Sequence, residues 1–378
     1  MIKSLNLPVI KARLPQVGLS PAKLAKSLGV SREAVSKWLH GESLPQPDKL
    51  LRLGIALGLK FDELVVTAVP AAVPVVSFRR KAGRKTRDIH LDKARETGEL
   101  LKDLVKYLPD TRLAQAPVLK EPRMDYDYIQ RVAKDVREEM GLASKEIIDF
   151  KDLIEKFNRL HAIIIPVLWG ERQHHGNALN IHLPDSGTTW VFLNLDSNLL
   201  DFKFWMAHEL GHALAPTLDG DVGEDFADAF AQALLSPESH VVALRSRLQG
   251  LVNVASRVQV INEAAAKHVI SPYTIRRAIM AYEVAHDSTP INLGPEGQFM
   301  AIATNLKKQH QTVTQLLFKN PIPDPSAYIG SARSAFGSAF FEAVAAYCRQ
   351  EDGAEAYLHQ VLGVSLADAK ALIAEFKP

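Results

Sequence analysis

The chain has 378 residues, 47% hydrophobic and 23% charged, with a formal net charge of +2 and one cysteine. That length implies two or three domains with apolar content for real cores, and the single Cys348 excludes an intramolecular disulfide and suits a reducing cytosol. Pro8 and Pro15 interrupt the short apolar runs of the N-terminus, and Pro70 and Pro74 break the apolar run from Val65 to Val76, so neither a secretory leader nor a membrane span is read and a soluble cytoplasmic protein is expected.

Charge is unevenly placed. Residues 1–110 hold 20 Lys and Arg against 11 Asp and Glu, a surplus of nine that leaves −7 for the remainder. A basic head on an acidic body points to a polyanionic partner for the head. Residues 18–65 supply a mechanism: Ser20 caps a helix with Pro21 at its first turn, Leu24, Ala25 and Leu28 form the inner face, and Gly29-Val30 makes a turn. Ser31 then caps a second helix with Val35, Trp38 and Leu39 inward, Gly41 closes it, and Leu50, Leu53, Leu57 and Phe61 bring two more helices over the same core. This string resembles the XRE (Cro-like) helix-turn-helix family. The resemblance implies that the second motif helix enters the major groove of a double-stranded operator, with Ser31, Arg32, Glu33, Ser36 and Lys37 on its outer side. Pro21 replaces a glutamine common in relatives, so one phosphate contact is in doubt. The competing reading is a helical bundle used for protein docking or dimerisation. A palindromic operator needs two recognition helices, so a homodimer is expected.

The Val/Ala/Pro-rich stretch 66–76 reads as an extended, semi-stiff linker. From Phe78 to Arg87 come six basic residues, suited to track the phosphate backbone or simply to be solvated. Residues 91–106 read as an amphipathic helix that bridges domains or dimerises. A catalytic domain is expected to begin near Asp125, with helices around Tyr128 to Met140 and, after Ser144, Ile147 to Leu160. Strands follow at 161–168, 178–183 and 190–195, giving a small α+β unit in which a strand lying before the zinc helix could take an extended peptide by β-addition. His161, His174, His175 and His182 lie in or beside this region, each a candidate to stabilise an oxyanion, although such histidines are more often surface or satisfied core residues.

Met206 to Leu214 contains H-E-x-x-H. His208 and His212 fall one turn apart on one helix face, close enough to hold one metal ion, and Glu209 can serve as general base towards a water at the metal's open position. A catalytic zinc keeps three protein ligands, yet Ala215 and Leu218 stand where a third-histidine pattern needs Gly and His, so a carboxylate is required. In the next helix, ended by Pro237, Phe226, Ala227, Phe230, Ala231, Leu234 and Leu235 recur at helical spacing, which puts Glu224 and Asp228 on one face. Glu224 is assigned as the third ligand, and Asp228 as the acceptor that fixes the tautomer of a ligating imidazole.

These two helices, with the apolar run Trp190 to Asn194 before them, resemble the ImmA/IrrE family of bacterial metallopeptidases over roughly residues 125–280. The resemblance implies Zn2+ held by His208, His212 and Glu224, and a helix-turn-helix repressor as protein substrate, cleaved under stress or mobile-element induction. Asp228 departs from an asparagine seen in many relatives, although both side chains accept a hydrogen bond. Residues 257–282 resemble a second helix-turn-helix, with Ser271 as cap, and its Arg276-Arg277 pair suggests packing more than operator reading. Residues 283–330 read as loop-rich because of Pro290, Pro295, Pro321, Pro323 and Pro325, and 333–376 as helical, with Cys348 a small core residue.

The expected fold is mainly α with a small α+β zinc-metallopeptidase core, an N-terminal five-helix domain and a helical C-terminal region. The expected segments are 1–66, a linker 67–124, the peptidase domain 125–256, the helix-turn-helix-like 257–290 and the C-terminal 291–378. Two functions compete. One is a zinc endopeptidase tethered to a DNA-binding head, with Glu209 taking a proton from the attacking water and passing it to the leaving amine. The other is a transcriptional regulator or antitoxin-like protein whose metal site is sensory or structural and cleaves nothing.

Overall fold

The computed structural model describes residues 2–40, 43–68, 73–77, 88–113, 117–143, 146–168, 178–218 and 220–376. Two compact units divide the chain, Met1–Ala72 and Val73–Pro378. The boundaries expected after residues 124, 256 and 290 all fall within the second.

Serine caps and a left-handed glycine organise the first unit. It runs β1 (Ile2–Leu5), α1 (Leu7–Gln16), α2 (Pro21–Leu28), α3 (Arg32–Leu39), α4 (Pro47–Leu57), α5 (Phe61–Leu64) and β2 (Val65–Ala68). The Ser20 hydroxyl accepts from the Lys23 amide at 3.3 Å and that of Ser31 from the Ala34 amide at 3.0 Å, satisfying amides that a helix start leaves without partners. Between them Gly29 takes φ +64°, which lets the chain turn sharply from α2 into α3. Ile10, Leu24, Leu28, Val35, Leu53 and Leu57 make the core. Helix α3 ends at Leu39 with His40 as its cap; Gly41 lies outside the described residues. The expected linker behaves differently: Val65–Ala68 turns back as β2 and pairs antiparallel with β1, Leu5 opposite Val65.

The second unit begins with β3 (Val75–Ser77) and α6 (Asp88–Val105), followed by α7 (Tyr126–Glu139), α8 (Phe150–Arg159), β4 (Ile163–Val167), β5 (Ala178–Leu183) and β6 (Thr188–Asn194). The basic stretch Phe78 to Arg87, Ser144, His174 and His175 lie outside the described residues. Strand order is β3-β5-β6-β4, antiparallel except for the β4–β6 pair. Every residue of β4 and β6 is buried, which accounts for their continuous apolar character. Helix α6 is no free bridge: Ala94, Leu101 and Leu104 enter the same core as the sheet.

Next come α9 (Leu199–Leu214), α10 (Gly220–Leu235), α11 (Glu238–Gln249), α12 (Val254–His268) and α13 (Pro272–Ala285). The region expected to be loop-rich is helical instead, with α14 (Glu296–Lys307), α15 (Val313–Leu317) and α16 (Pro325–Phe336). Pro295 is the cap of α14 and Pro325 opens α16, positions where a missing N–H costs nothing. Helices α17 (Phe340–Gln350), α18 (Ala354–Leu362) and α19 (Leu366–Ala374) complete the unit, Cys348 lying half-buried on α17. The whole is mainly helical with a small four-stranded sheet, and among the described residues no helix is long and apolar enough to cross a membrane.

Candidate metal centre and nucleic-acid interface

Helix α9 starts at Asn198, whose side chain accepts from the Leu200 amide, and is buried along most of its length. His208 and Glu209 are 0% and 1% exposed, and His212 is 4% exposed. Gly211 is what lets α10 come close: a Cβ there would lie 2.9 Å from the Ala227 Cα, a distance real contacts do not show. The close approach lays Glu224 of α10 over the two imidazoles. The Nε2 atoms of His208 and His212 are 3.1 Å apart, and each lies 3.4 Å from a Glu224 carboxylate oxygen. Ligands of a tetrahedral zinc with bonds of about 2.1 Å lie about 3.4 Å from one another, so this donor set fits such an ion.

Asp228, one turn beyond Glu224 on α10, places Oδ1 2.9 Å from His208 Nδ1. With a cation bound, a carboxylate there would keep the His208 proton on Nδ1 and leave the Nε2 lone pair to the ion. The outer oxygen of Asp228 is 3.6 Å from Arg277 Nη1 on α13. Burial by itself pushes the His208 imidazole down, but its hydrogen bonds to Asp228 and Glu224, reinforced by the charge of Glu209, raise it to about 9. For His212 burial prevails and the shift is downward despite Glu224. Burial favours a neutral Glu224, yet the hydrogen bonds from His208 and His212 hold its carboxyl well below the ordinary carboxylate range. An ionised carboxylate set against two imidazole nitrogens is a centre that a cation completes.

Sequence reasoning did not find Arg277 as a partner of Asp228, or Asn180, whose side-chain amide on β5 donates to the Glu209 carbonyl at 3.4 Å. Both are long-range contacts with no local signal. Of the oxyanion candidates, His182 is tied to the Thr189 hydroxyl at 3.1 Å and its imidazole is pushed down by burial, while His161 sits at φ 56° between α8 and β4. The β-addition expected at a strand before the zinc helix needs an open sheet edge. β6 lies between β4 and β5 and has no free edge, and the outer edge of β5 is covered by β3, with Ser77 opposite Asn180 and Val75 opposite His182.

On the first unit, Ser31, Arg32, Glu33, Ser36 and Lys37 are all exposed on α3 while Val35 and Trp38 are buried. Lys37 and Glu33 pair across one turn at 3.0 Å. The helix-turn-helix family model HTH_3 matches residues 9–64. The first unit is therefore an XRE-type helix-turn-helix domain. No curated protein and no solved structure matched the chain. The XRE-type domain makes the chain a DNA-binding regulator whose partner is double-stranded DNA. In it α3 is the second helix of the motif, and the five polar residues from Ser31 to Lys37 named above are exposed. The second helix pair, α12 and α13, differs from the XRE-type domain: Arg277 meets Asp228 and Arg276 stacks over the Phe299 ring at 5.6 Å, so the adjacent pair of arginines on α13 is engaged within its own unit.

Proposed function

We propose that this DNA-binding regulator carries a zinc-dependent endopeptidase of the ImmA/IrrE type, which cleaves a repressor or another regulatory protein. The observation that carries the reading is the convergence of His208, His212 and Glu224 with a buried glutamate, Glu209, next to the first ligand on the same helix. A purely structural site normally has four protein ligands and no need of a base. Zinc, when bound by these three side chains, supplies Lewis acidity that makes water a better nucleophile and a peptide carbonyl a better electrophile. Glu209 takes the proton of the attacking water and returns it to the departing amine. Asp228 keeps the proton of His208 on Nδ1, and Asn180 steadies the backbone of α9 at Glu209. A homodimer belongs to the same reading, because two half-sites need two copies of α3.

One observation favours a second reading, a regulator or antitoxin-like protein whose metal site is sensory or structural: β3 covers the sheet edge that an extended substrate would use. Metal analysis and a cleavage assay separate the two. Protein purified without added metal is expected to hold about one zinc per chain, lost in His212→Ala and Glu224→Ala. Glu209→Gln is expected to retain the zinc yet cleave a helix-turn-helix repressor encoded nearby at least about 100-fold more slowly than wild type. Zinc retention with no cleavage by wild type would decide for the second reading, and equal cleavage by wild type and Glu209→Gln would remove Glu209 as the base.

A further inference from the structure

Away from the metal centre, a cleft of ≈ 470 Å³ opens between the end of α10, α11, α12 and the start of α13. Ile147, Val241, Leu244 and Ile275 give it an apolar wall. Four basic side chains, His240, Arg247, Lys267 and His268, line it against a single carboxylate, Glu263. Arg247 and Lys267 are exposed at the rim, and the half-buried imidazoles of His240 and His268 meet edge to face with centroids 4.9 Å apart.

Positive charge also stands behind the cleft. Lys203, 2% exposed, donates to the carbonyl of His268 at 2.8 Å and to that of Ile148 at 3.0 Å. Arg137, also 2% exposed, donates to the carbonyls of Leu234, Ala143 and Glu146. These hydrogen-bond partners are backbone dipoles and carry no net charge of their own; the carboxylates of Glu146, Asp149 and Asp152 act on the two cations only through space. Burial, and then the charges of His240, Lys203, Lys267 and Arg137, push the His268 imidazole down to about 4, as a region of positive potential requires.

We infer that this cleft binds a small amphipathic organic anion, a monocarboxylate whose head lies among Arg247, Lys267 and the imidazole pair and whose apolar body lies along Val241, Leu244 and Ile275. At the rim, Arg247 and Lys267 exceed Glu263 by one charge, which matches one carboxylate better than a phosphate dianion. The Arg247 guanidinium and Lys267 ammonium supply charge-assisted donors, and the hydroxyls of Ser236 and Ser239 supply neutral ones. The volume lies within the range of small-molecule sites, which combine apolar walls with a few convergent polar groups.

Octanoate is the test ligand, titrated calorimetrically into the full chain beside octylammonium, which has the same tail and the opposite charge, and beside inorganic phosphate. Octanoate is expected to bind at one site per chain, at least about fivefold more tightly than either control. Reversing two exposed charges together, Arg247→Glu with Lys267→Glu, is expected to weaken octanoate at least about tenfold. The inference is overturned by the absence of saturable octanoate binding, by octylammonium or phosphate binding as tightly, or by a charge-reversed protein that binds octanoate as wild type does. The comparison among the three ligands needs no variant. The cleft shares no residue with the metal centre, so this result stands apart from the peptidase reading.

Discussion

Replacing Asp228 by alanine tests the metal centre without touching a ligand. The side chain removed is the acceptor 2.9 Å from His208 Nδ1, on an imidazole that is fully buried. Its loss leaves the buried His208 N–H without this acceptor, a cost of about 1–3 kcal/mol. It also frees the proton to move to Nε2, where it occupies the lone pair a metal needs. Outer partners of ligating histidines typically change metal affinity by about 10–100-fold, which is about 1.4–2.7 kcal/mol and agrees with the hydrogen-bond figure. Asp228→Asn keeps an acceptor oxygen and is expected to lose less than about tenfold. Arg277→Ala removes only a 3.6 Å contact from a half-exposed guanidinium and is expected to stay within about threefold of wild type. Zinc affinity measured by competition with a chromophoric chelator, with circular dichroism to verify folding, reads all three. An Asp228→Ala protein that binds zinc as tightly as wild type, or an Arg277→Ala protein weaker than Asp228→Ala, would refute the assignment.

Further outcomes follow from other contacts. Gly211→Ala is expected to push α9 and α10 apart, destabilising the second unit by about 1–3 kcal/mol in urea denaturation and weakening zinc binding; unchanged values would mean that the close approach to Ala227 is dispensable. Val76→Pro breaks the β3–β5 ladder at its middle pair and is expected to raise proteolytic turnover at least about fivefold by uncovering the edge of β5, whereas unchanged turnover with β3 amides newly exchanging in deuterium would dissociate that edge from substrate access. Arg32→Ala with Lys37→Ala is expected to weaken binding to a duplex selected from a random pool at least about tenfold and to flatten its salt dependence; equal retention on a gel would remove α3 from the interface. The His268 imidazole is held at about 4 in the folded protein, so between its ordinary value of 6.5 and 4 the unfolded chain takes up a proton that the folded one does not. Stability contributed there is complete above pH 6.5, falls as the pH drops towards 4 and levels off below, and His268→Gln is expected to reduce the loss seen in urea midpoints between pH 7 and pH 5.

What the sequence made legible was local. Ser20, Gly29 and Ser31 announce the turn of the XRE-type domain because cap and left-handed glycine act within three or four residues of themselves. His208 and His212, and likewise Glu224 and Asp228, share helix faces by spacing alone, so each pair was visible; their mutual approach depends on Gly211 against Ala227, for which the motif carries only an unassigned glycine. Between 283 and 330 the clustered prolines read as loop, yet Pro295 and Pro325 punctuate helix starts. Arg277 could be seen as basic but not as the partner of Asp228, because the two meet only once α13 packs beside α10.

The stretch from residue 66 to 77 shows where local reading ends and topology begins. Its valines, alanines and prolines have no alternation that would mark an inward face, so an extended linker is the natural reading. The fold divides the stretch between two sheets: Val65–Ala68 returns to Ile2–Leu5, and Val75–Ser77 takes the outer edge of β5. Ser77 then stands opposite Asn180, whose amide reaches the carbonyl of Glu209, so the segment that leaves the DNA-binding unit runs beside the strand that supports the proposed base. Three paired residues make a weak strand, worth about 0.5–1.5 kcal/mol for each net hydrogen bond before the entropy of ordering is subtracted. Val76 also packs against the core, so on the proposed peptidase reading a substrate strand would have to displace Val75–Ser77 from β5, and the Val76→Pro measurement reads whether that displacement limits turnover.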